Sequence, residues 1–162
     1  MADVWYFAYG SNMDRARLET ARLIPEGLQV KDRVLGFVAG WQLVFAKPWA
    51  KFTGGGAAHI VPHAQDEIYG TLNLIDARGL DVLDRYEGVA GGHYRRAPLL
   101  VTRPLLGDGV EAVVYLADGD LDPSLKPPRF YLDHLLAGRD LLPAAYVARL
   151  EAFETLPIFN EG

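Results

Sequence analysis

The run Val4-Trp5-Tyr6-Phe7-Ala8-Tyr9 is apolar and aromatic without alternation, and Gly10-Ser11-Asn12 cuts it off. Continuous apolar character suits a strand covered on both faces. A glycine followed by small polar residues then forces a tight turn. Residues 14–22 read as a short helix that stops before Pro25, with Leu18, Ala21 and Arg22 at i, i+3 and i+4 on its inner face. A strand end, a turn and a helix start thus follow one another near the N-terminus. Such a turn leaves backbone N–H groups unpaired beside the positive end of a helix. It is a place to hold an anion, or an oxygen acquiring charge.

The 162 residues are expected to form one domain, 1–162, with a real core. The formal net charge of −5 argues against nucleic acid as the main partner, because phosphate binding needs a basic face. The chain has no cysteine, which excludes disulfides, a thiolate nucleophile and cysteine-based zinc or iron–sulfur sites. No apolar segment approaches the roughly 18 residues of a membrane span. No basic-then-apolar leader is visible at the N-terminus, so a cytoplasmic protein away from membranes is the default expectation.

Further strands are expected at residues 31–37, 41–46, 57–62, 67–75, 93–103 and 110–116. The fourth of these alternates, with Ile68, Gly70, Leu72 and Leu74 on one side and Tyr69, Thr71, Asn73 and Ile75 on the other. Asp76 is a good N-cap for a helix running to about residue 86. Two more helices are expected over 129–138 and from Pro143 to about residue 153. The tail after Leu156 is expected to be loosely held. Residues 49–56 hold three consecutive glycines and read as a long hairpin loop, with a mobile lid as the alternative. About six or seven strands in hairpin-like succession, with short helices, imply an α+β fold. Its form would be a small, mixed, curved sheet or β-barrel with flanking helices.

Glu87 is the most informative single residue. It lies four and seven residues after Leu83 and Leu80, on the apolar stripe of its helix. A carboxylate there needs an explanation. Burial and the negative end of the helix both disfavour its charged form and should raise its pKa, as general acid/base chemistry near neutral pH requires. The structural alternative is a surface pair with Arg85, Arg95 or Arg96. Ser11 as a nucleophile would need a histidine base, and the four histidines are scattered. Capping of the following helix, with Asp14 three residues on, is the better reading. His59 and His63 have a zinc-like spacing, but Pro62 interrupts the segment and no third ligand is in reach, so no metal is expected. The glycines at 54–56 lack the Gly-Lys-Ser/Thr of a phosphate loop.

Taken together, Tyr9-Gly10-Ser11-Asn12, Glu87-Gly88 and Gly92-His93-Tyr94 closely resemble the γ-glutamylcyclotransferase family. Trp41-Gln42-Leu43-Val44-Phe45, Ile68-Tyr69-Gly70-Thr71-Leu72, Pro128-Arg129-Phe130-Tyr131-Leu132 and Leu142-Pro143-x-x-Tyr146 resemble further segments of that family, in the same order. The resemblance implies a small β-barrel with flanking helices. It also implies an enzyme that needs no metal, cofactor or water. In that reaction the substrate's α-amino group attacks its own γ-glutamyl carbonyl, giving 5-oxoproline and a free amino acid or amine. By position, Glu87 matches the catalytic glutamate. Tyr9, Gly10, Ser11 and Asn12 match the substrate loop, and Tyr94 and Tyr131 match tyrosines lining the pocket.

Asn12 and Met13 depart from the Tyr-Gly-Ser-Leu of glutathione-specific relatives and from the Tyr-Gly-Thr-Leu of the γ-glutamylamine branch. Two alternatives stand beside the general enzyme: a small-ligand binding module on the same fold, and a pathway-specific cyclotransferase that removes a γ-glutamyl protecting group. The expected partner is a small γ-glutamyl molecule. Monomer and homodimer both remain open.

Overall fold

A computed structural model describes residues 2–162. Five strands close into a barrel in the order β1-β3-β2-β4-β5, with β1 Asp3–Ala8, β2 Asp32–Pro48, β3 Gly56–Asp76, β4 Tyr94–Arg103 and β5 Asp108–Ala117. Neighbours are antiparallel except at the closure, where β1 runs parallel to β5 through Trp5 opposite Ala112 and Tyr6 opposite Val113. The α-helices are α1 Arg78–Glu87, α2 Arg129–Leu136 and α3 Ala144–Glu151.

The strand count is five because two expected breaks are irregularities inside long strands. The weak break at residues 38–40 lies within β2, and the stretch around Pro62 lies within β3. The register jumps there, from Ala39 opposite Glu67 to Trp41 opposite Pro62. Gly40 supplies the left-handed conformation (φ 85°) that lets β2 bend without ending. The expected burial of the first strand holds at its C-terminal half, where Tyr6, Phe7 and Ala8 are all buried. The alternation expected in β3 is lost over residues 71–73, which are buried on both faces. β3 is paired on both sides, by β1 and by β2, so its residues face cover in either direction.

The helix after the first turn is a π-helix, Ala16–Leu23, followed by a 3₁₀ turn, Ile24–Glu26, that passes through Pro25. Its buried residues are Leu18, Arg22 and Leu23, and Ala21 is exposed, contrary to the α-helical spacing. A π-helix, with its i→i+5 bonds, brings residues four and five apart, rather than three and four, toward the same side. Asp14 caps it: its Oδ1 accepts from the N–H groups of Ala16 at 3.0 Å and Arg17 at 3.4 Å. The Ser11 side chain makes no capping bond, so the expected role of Ser11 passes to Asp14.

The tail is held, against expectation. The Arg129 N–H donates to Leu156 O, the Phe130 N–H to Ile158 O, and the Leu156 N–H to Pro127 O, each at 3.0 Å. The first two satisfy N–H groups at the start of α2 that an isolated helix leaves open. The 49–56 loop is likewise tied, by hydrogen bonds from Gly56 N–H to Lys126 O and from Lys126 N–H to Gly54 O. Trp49 and Phe52 pack edge-on at 5.0 Å, and Trp49 packs on Tyr131 at 5.2 Å. A hairpin loop describes this segment. No described helix is long and apolar enough to cross a membrane.

Candidate active site

The turn, helix α1 and β4 converge on one end of the barrel. A small inner cavity of about 40 Å³ is walled by Tyr6, Tyr9, Gly10, Ser11, Asn12 and Glu87, with Phe7, Ala58, Tyr94, Tyr115 and Tyr131 completing it. It opens toward a larger cavity of about 460 Å³, and Ser11, Glu87, Tyr94 and Tyr131 line both. All seven residues singled out from the sequence therefore meet at one place.

Glu87 is held there by the way α1 ends. Gly88 adopts φ 65°, the Gly88 N–H donates to Arg85 O, and the Val89 N–H donates to Asp84 O at 3.0 Å. This is the Schellman pattern, which stops a helix at a defined residue. Leu80 and Leu83 are buried on the same stripe. Asp84, one turn before Glu87, accepts from the Tyr115 hydroxyl at 2.7 Å and from Arg96 at 2.8 Å and 2.6 Å, fastening α1 to β5 and β4. Arg85, Arg95 and Arg96 pair with Glu26, Asp118 and Asp84 respectively. Glu87 forms no salt bridge among the described residues. Burial pushes its carboxyl above the usual carboxylate range. Arg22 and Arg17 pull it back, and Asp84 adds to the rise.

The turn offers donors. The Met13 N–H is spent on Gly10 O and the Asp14 N–H on Ser11 O. The N–H groups of Gly10 and Ser11 have no backbone partner among the described residues. Asn12 is 3% exposed; its Nδ2 donates to the Tyr6 hydroxyl at 3.0 Å, and its Oδ1 is buried without a partner. No histidine nitrogen hydrogen-bonds Ser11 among the described residues.

The tyrosines divide into two kinds. Tyr9 donates its proton to Tyr115 O at 2.6 Å, and Tyr94 donates to Ala58 O at 2.8 Å. Tyr6 and Tyr131 instead accept, from Asn12 Nδ2 and from the Ala58 N–H at 3.0 Å. A hydroxyl that accepts still has its own proton to give. Burial raises the Tyr6 phenol well above its ordinary value and pushes Tyr131 up to about 12, so both stay neutral donors near neutral pH. The site thus sets two free O–H donors and two free N–H donors around one carboxyl group. It can hold a carbonyl oxygen, bear charge developing on it, and move a proton.

Tyr6, Tyr115 and Ala58 were not legible as site residues. Tyr6 read as strand core, and Tyr115 and Ala58 reach the cavity only through barrel closure. In the outer cavity, Arg17, Arg22, Lys47, Lys51, His93 and Glu161 also went unassigned. Arg22 carried a signal, since the sequence already set it on an apolar face. His59 is buried, and its Nδ1 accepts from the Ala117 N–H at 3.0 Å; His63 is exposed. They do not converge, and no group of three or more metal-ligating side chains occurs among the described residues.

The sequence profile of the AIG2-like family matches residues 67–150. A solved γ-glutamyl cyclotransferase superposes with a TM-score of 0.80 at 22% identity, over 99% of this chain and 93% of that one. An uncharacterized human protein gives 0.80 at 23% identity, over 99% and 94%. A yeast γ-glutamyl cyclotransferase specific to glutathione gives 0.62 at 12%, over 93% and 94%. At these identities the likeness to solved structures is one of fold. No curated protein matches the sequence. With its profile match spanning more than half the sequence, the chain belongs to the AIG2-like family.

Proposed function

We propose that the protein is a γ-glutamylcyclotransferase. The observation that carries this reading is Glu87: a carboxyl with raised pKa and no ion-pair partner among the described residues, lining the cavity beside the open N–H groups of Gly10 and Ser11. The inner cavity would take the glutamyl end of the substrate. There the α-amine attacks the γ-carbonyl carbon, forming the ring C–N bond. Glu87 takes the proton released by the amine. The carbonyl oxygen gains charge and is met by the Gly10 and Ser11 N–H groups, with Tyr6 and Tyr131 as further donors. Glu87 then returns its proton to the amide nitrogen, the amide C–N bond breaks, and 5-oxoproline and an amine or amino acid depart.

The nucleophile belongs to the substrate, so the site needs no activated side-chain nucleophile. Ring closure is intramolecular, and holding the folded conformer supplies much of the barrier reduction. A raised carboxyl pKa suits a group that must both accept and return a proton. The partner on this reading is a small γ-glutamyl molecule, taken up by a single domain.

Purified protein, offered γ-glutamyl amino acids, γ-glutamyl amines and glutathione, should release 5-oxoproline detectable by mass spectrometry. Glu87→Gln should reduce turnover by at least about 100-fold, the usual worth of a positioned acid/base, while leaving the fold intact. Undiminished turnover in that variant would remove Glu87 from the mechanism. Tight binding of γ-glutamyl compounds with no product would favour a binding module.

A further inference from the structure

The π-helix does what an α-helix could not. Residues five apart stand only about 50° apart around its axis, whereas in an α-helix they stand roughly 140° apart. Arg17 and Arg22 are five apart, and both line the outer cavity. Leu18 and Leu23, also five apart, are both buried in the core. The π register therefore turns one edge of this helix to the core and the adjacent edge, with two guanidinium groups, to the cavity.

The two cations are under-compensated. Arg22 is 9% exposed and has no salt bridge among the described residues; it stacks over the Tyr86 ring, 4.5 Å from its centroid. Burial, first, and the nearby Arg17 lower its hold on its proton, with Glu87 opposing them in part. Arg17 Nε is buried with no acceptor. Its other contacts are His134 Nε2 at 3.3 Å and a loose pair with Glu161 at 3.5 Å. Lys47 and Lys51 line the same cavity, but their ammonium groups donate to the backbone carbonyls of Asp118 and Glu161. A buried charge with no salt bridge, as at Arg22, is costly, and a second, only loosely paired guanidinium beside it adds to the cost. Glu87 lines the same cavity yet pairs with neither arginine. The Glu161 carboxylate on Arg17 illustrates how an acid seats at the mouth.

We infer that Arg17 and Arg22 form an anion subsite for a carboxylate on the departing half of the substrate. It favours γ-glutamyl amino acids and peptides over γ-glutamyl amines. This rests on the cyclotransferase reading. The amine and carbonyl that react must reach Glu87 and the turn, so the glutamyl end fills the inner cavity. The leaving group then extends past Glu87 into the outer cavity, where the arginines stand.

γ-Glutamyl-alanine and γ-glutamyl-alaninamide have nearly the same size and shape and differ chiefly in the charge on the leaving group. We would compare 5-oxoproline release from both by the wild type, and calorimetric binding of both to the Glu87→Gln variant. The acid should be favoured by about 10- to 100-fold in kcat/KM and in Kd, the scale of one charge-assisted hydrogen bond. Arg22→Met and Arg17→Met should each shrink that ratio to within about threefold, and Arg22→Lys should keep part of it. Arg17 is the less buried of the two, so Arg17→Met still reads the subsite if Arg22→Met does not fold. Equal handling of both compounds, or a preference that survives both methionine variants, overturns the subsite and leaves the reaction standing. No 5-oxoproline from either compound, with the acid still bound more tightly through Arg22, overturns the reaction and keeps the subsite. If neither compound binds, both fall.

Discussion

The Tyr131 hydroxyl accepts a hydrogen bond from the Ala58 backbone N–H at 3.0 Å, which leaves the tyrosine proton free to be donated into the cavity. Tyr94 does the reverse on the same residue, donating to Ala58 O at 2.8 Å. One residue of β3 thus orients two phenols in opposite senses. Tyr131→Phe should cost about 1–3 kcal/mol of stability in urea unfolding, because the Ala58 N–H loses its acceptor. On the proposed reaction it should also lower kcat by at least about tenfold, as loss of a donor to a developing oxyanion does. A stability loss with unchanged kcat would make Tyr131 a structural residue only.

Glu87 ties stability to function with a definite sign. Its folded pKa lies above the ordinary carboxylate value, so the folded state prefers the protonated form. The stability from that preference is fully present below the unfolded pKa, about 4.3, and is lost as pH rises through the folded pKa. Glu87→Gln removes the ionisation. The variant should melt at a higher temperature than the wild type at pH 8, and the gap should close toward pH 4. Site residues held in unfavourable environments commonly show such a trade. Turnover should run the other way, since attack needs ionised Glu87. The acid limb of kcat/KM should therefore have its midpoint above the usual carboxylate value. A wild type that outlasts the variant at pH 8 would mean that Glu87 is stabilised as an anion.

The sequence was informative wherever a local pattern decides the outcome. The unbroken apolar run ending at Gly10 does mark a strand, buried over its C-terminal half, that feeds a turn with free N–H groups. The spacing of Leu80, Leu83 and Glu87 does place the carboxyl on the inner face of α1. What it hid was non-local. Tyr6 and Tyr115 meet the site because β1 pairs with β5 in closing the barrel, and no sequence period records that pairing. The π register of residues 16–23 overturns the expectation for Ala21, since an extra residue per turn leaves no compositional mark. The tail reads as loosely held, yet it answers the open N–H groups of α2, a need visible only once both segments are placed.

Gly88 is required by the geometry that ends α1. Its φ is 65°, and a Cβ there would lie 2.7 Å from His93 Cδ2. Gly88→Ala should cost about 1–2 kcal/mol from the left-handed backbone alone, with the clash added. Because Glu87 is the preceding residue, activity should fall by more than the loss of folded protein explains. Activity per folded molecule, measured well below the melting temperature, separates the two effects. Wild-type activity in a merely less stable variant would show that the helix end does not aim Glu87.

Gly10 poses a different case, in which room is what a side chain lacks. A Cβ there would stand 3.2 Å from Ala58 Cβ and 3.4 Å from the Tyr131 hydroxyl. Either the turn or the Tyr131 ring must then give by a few tenths of an ångström. Ala58 is fixed in β3, so the turn and the phenol are the parts that move. Gly10→Ala should therefore fold, losing no more than about 1–3 kcal/mol, the usual cost of overpacking by one methyl. On the proposed reaction its kcat should drop by about tenfold or more, since donors act only when aimed at the oxygen that gains charge. Thermal unfolding and 5-oxoproline release on the same preparation separate the two. Full turnover in a folded Gly10→Ala protein would mean that the turn's N–H groups do not touch the reacting carbonyl.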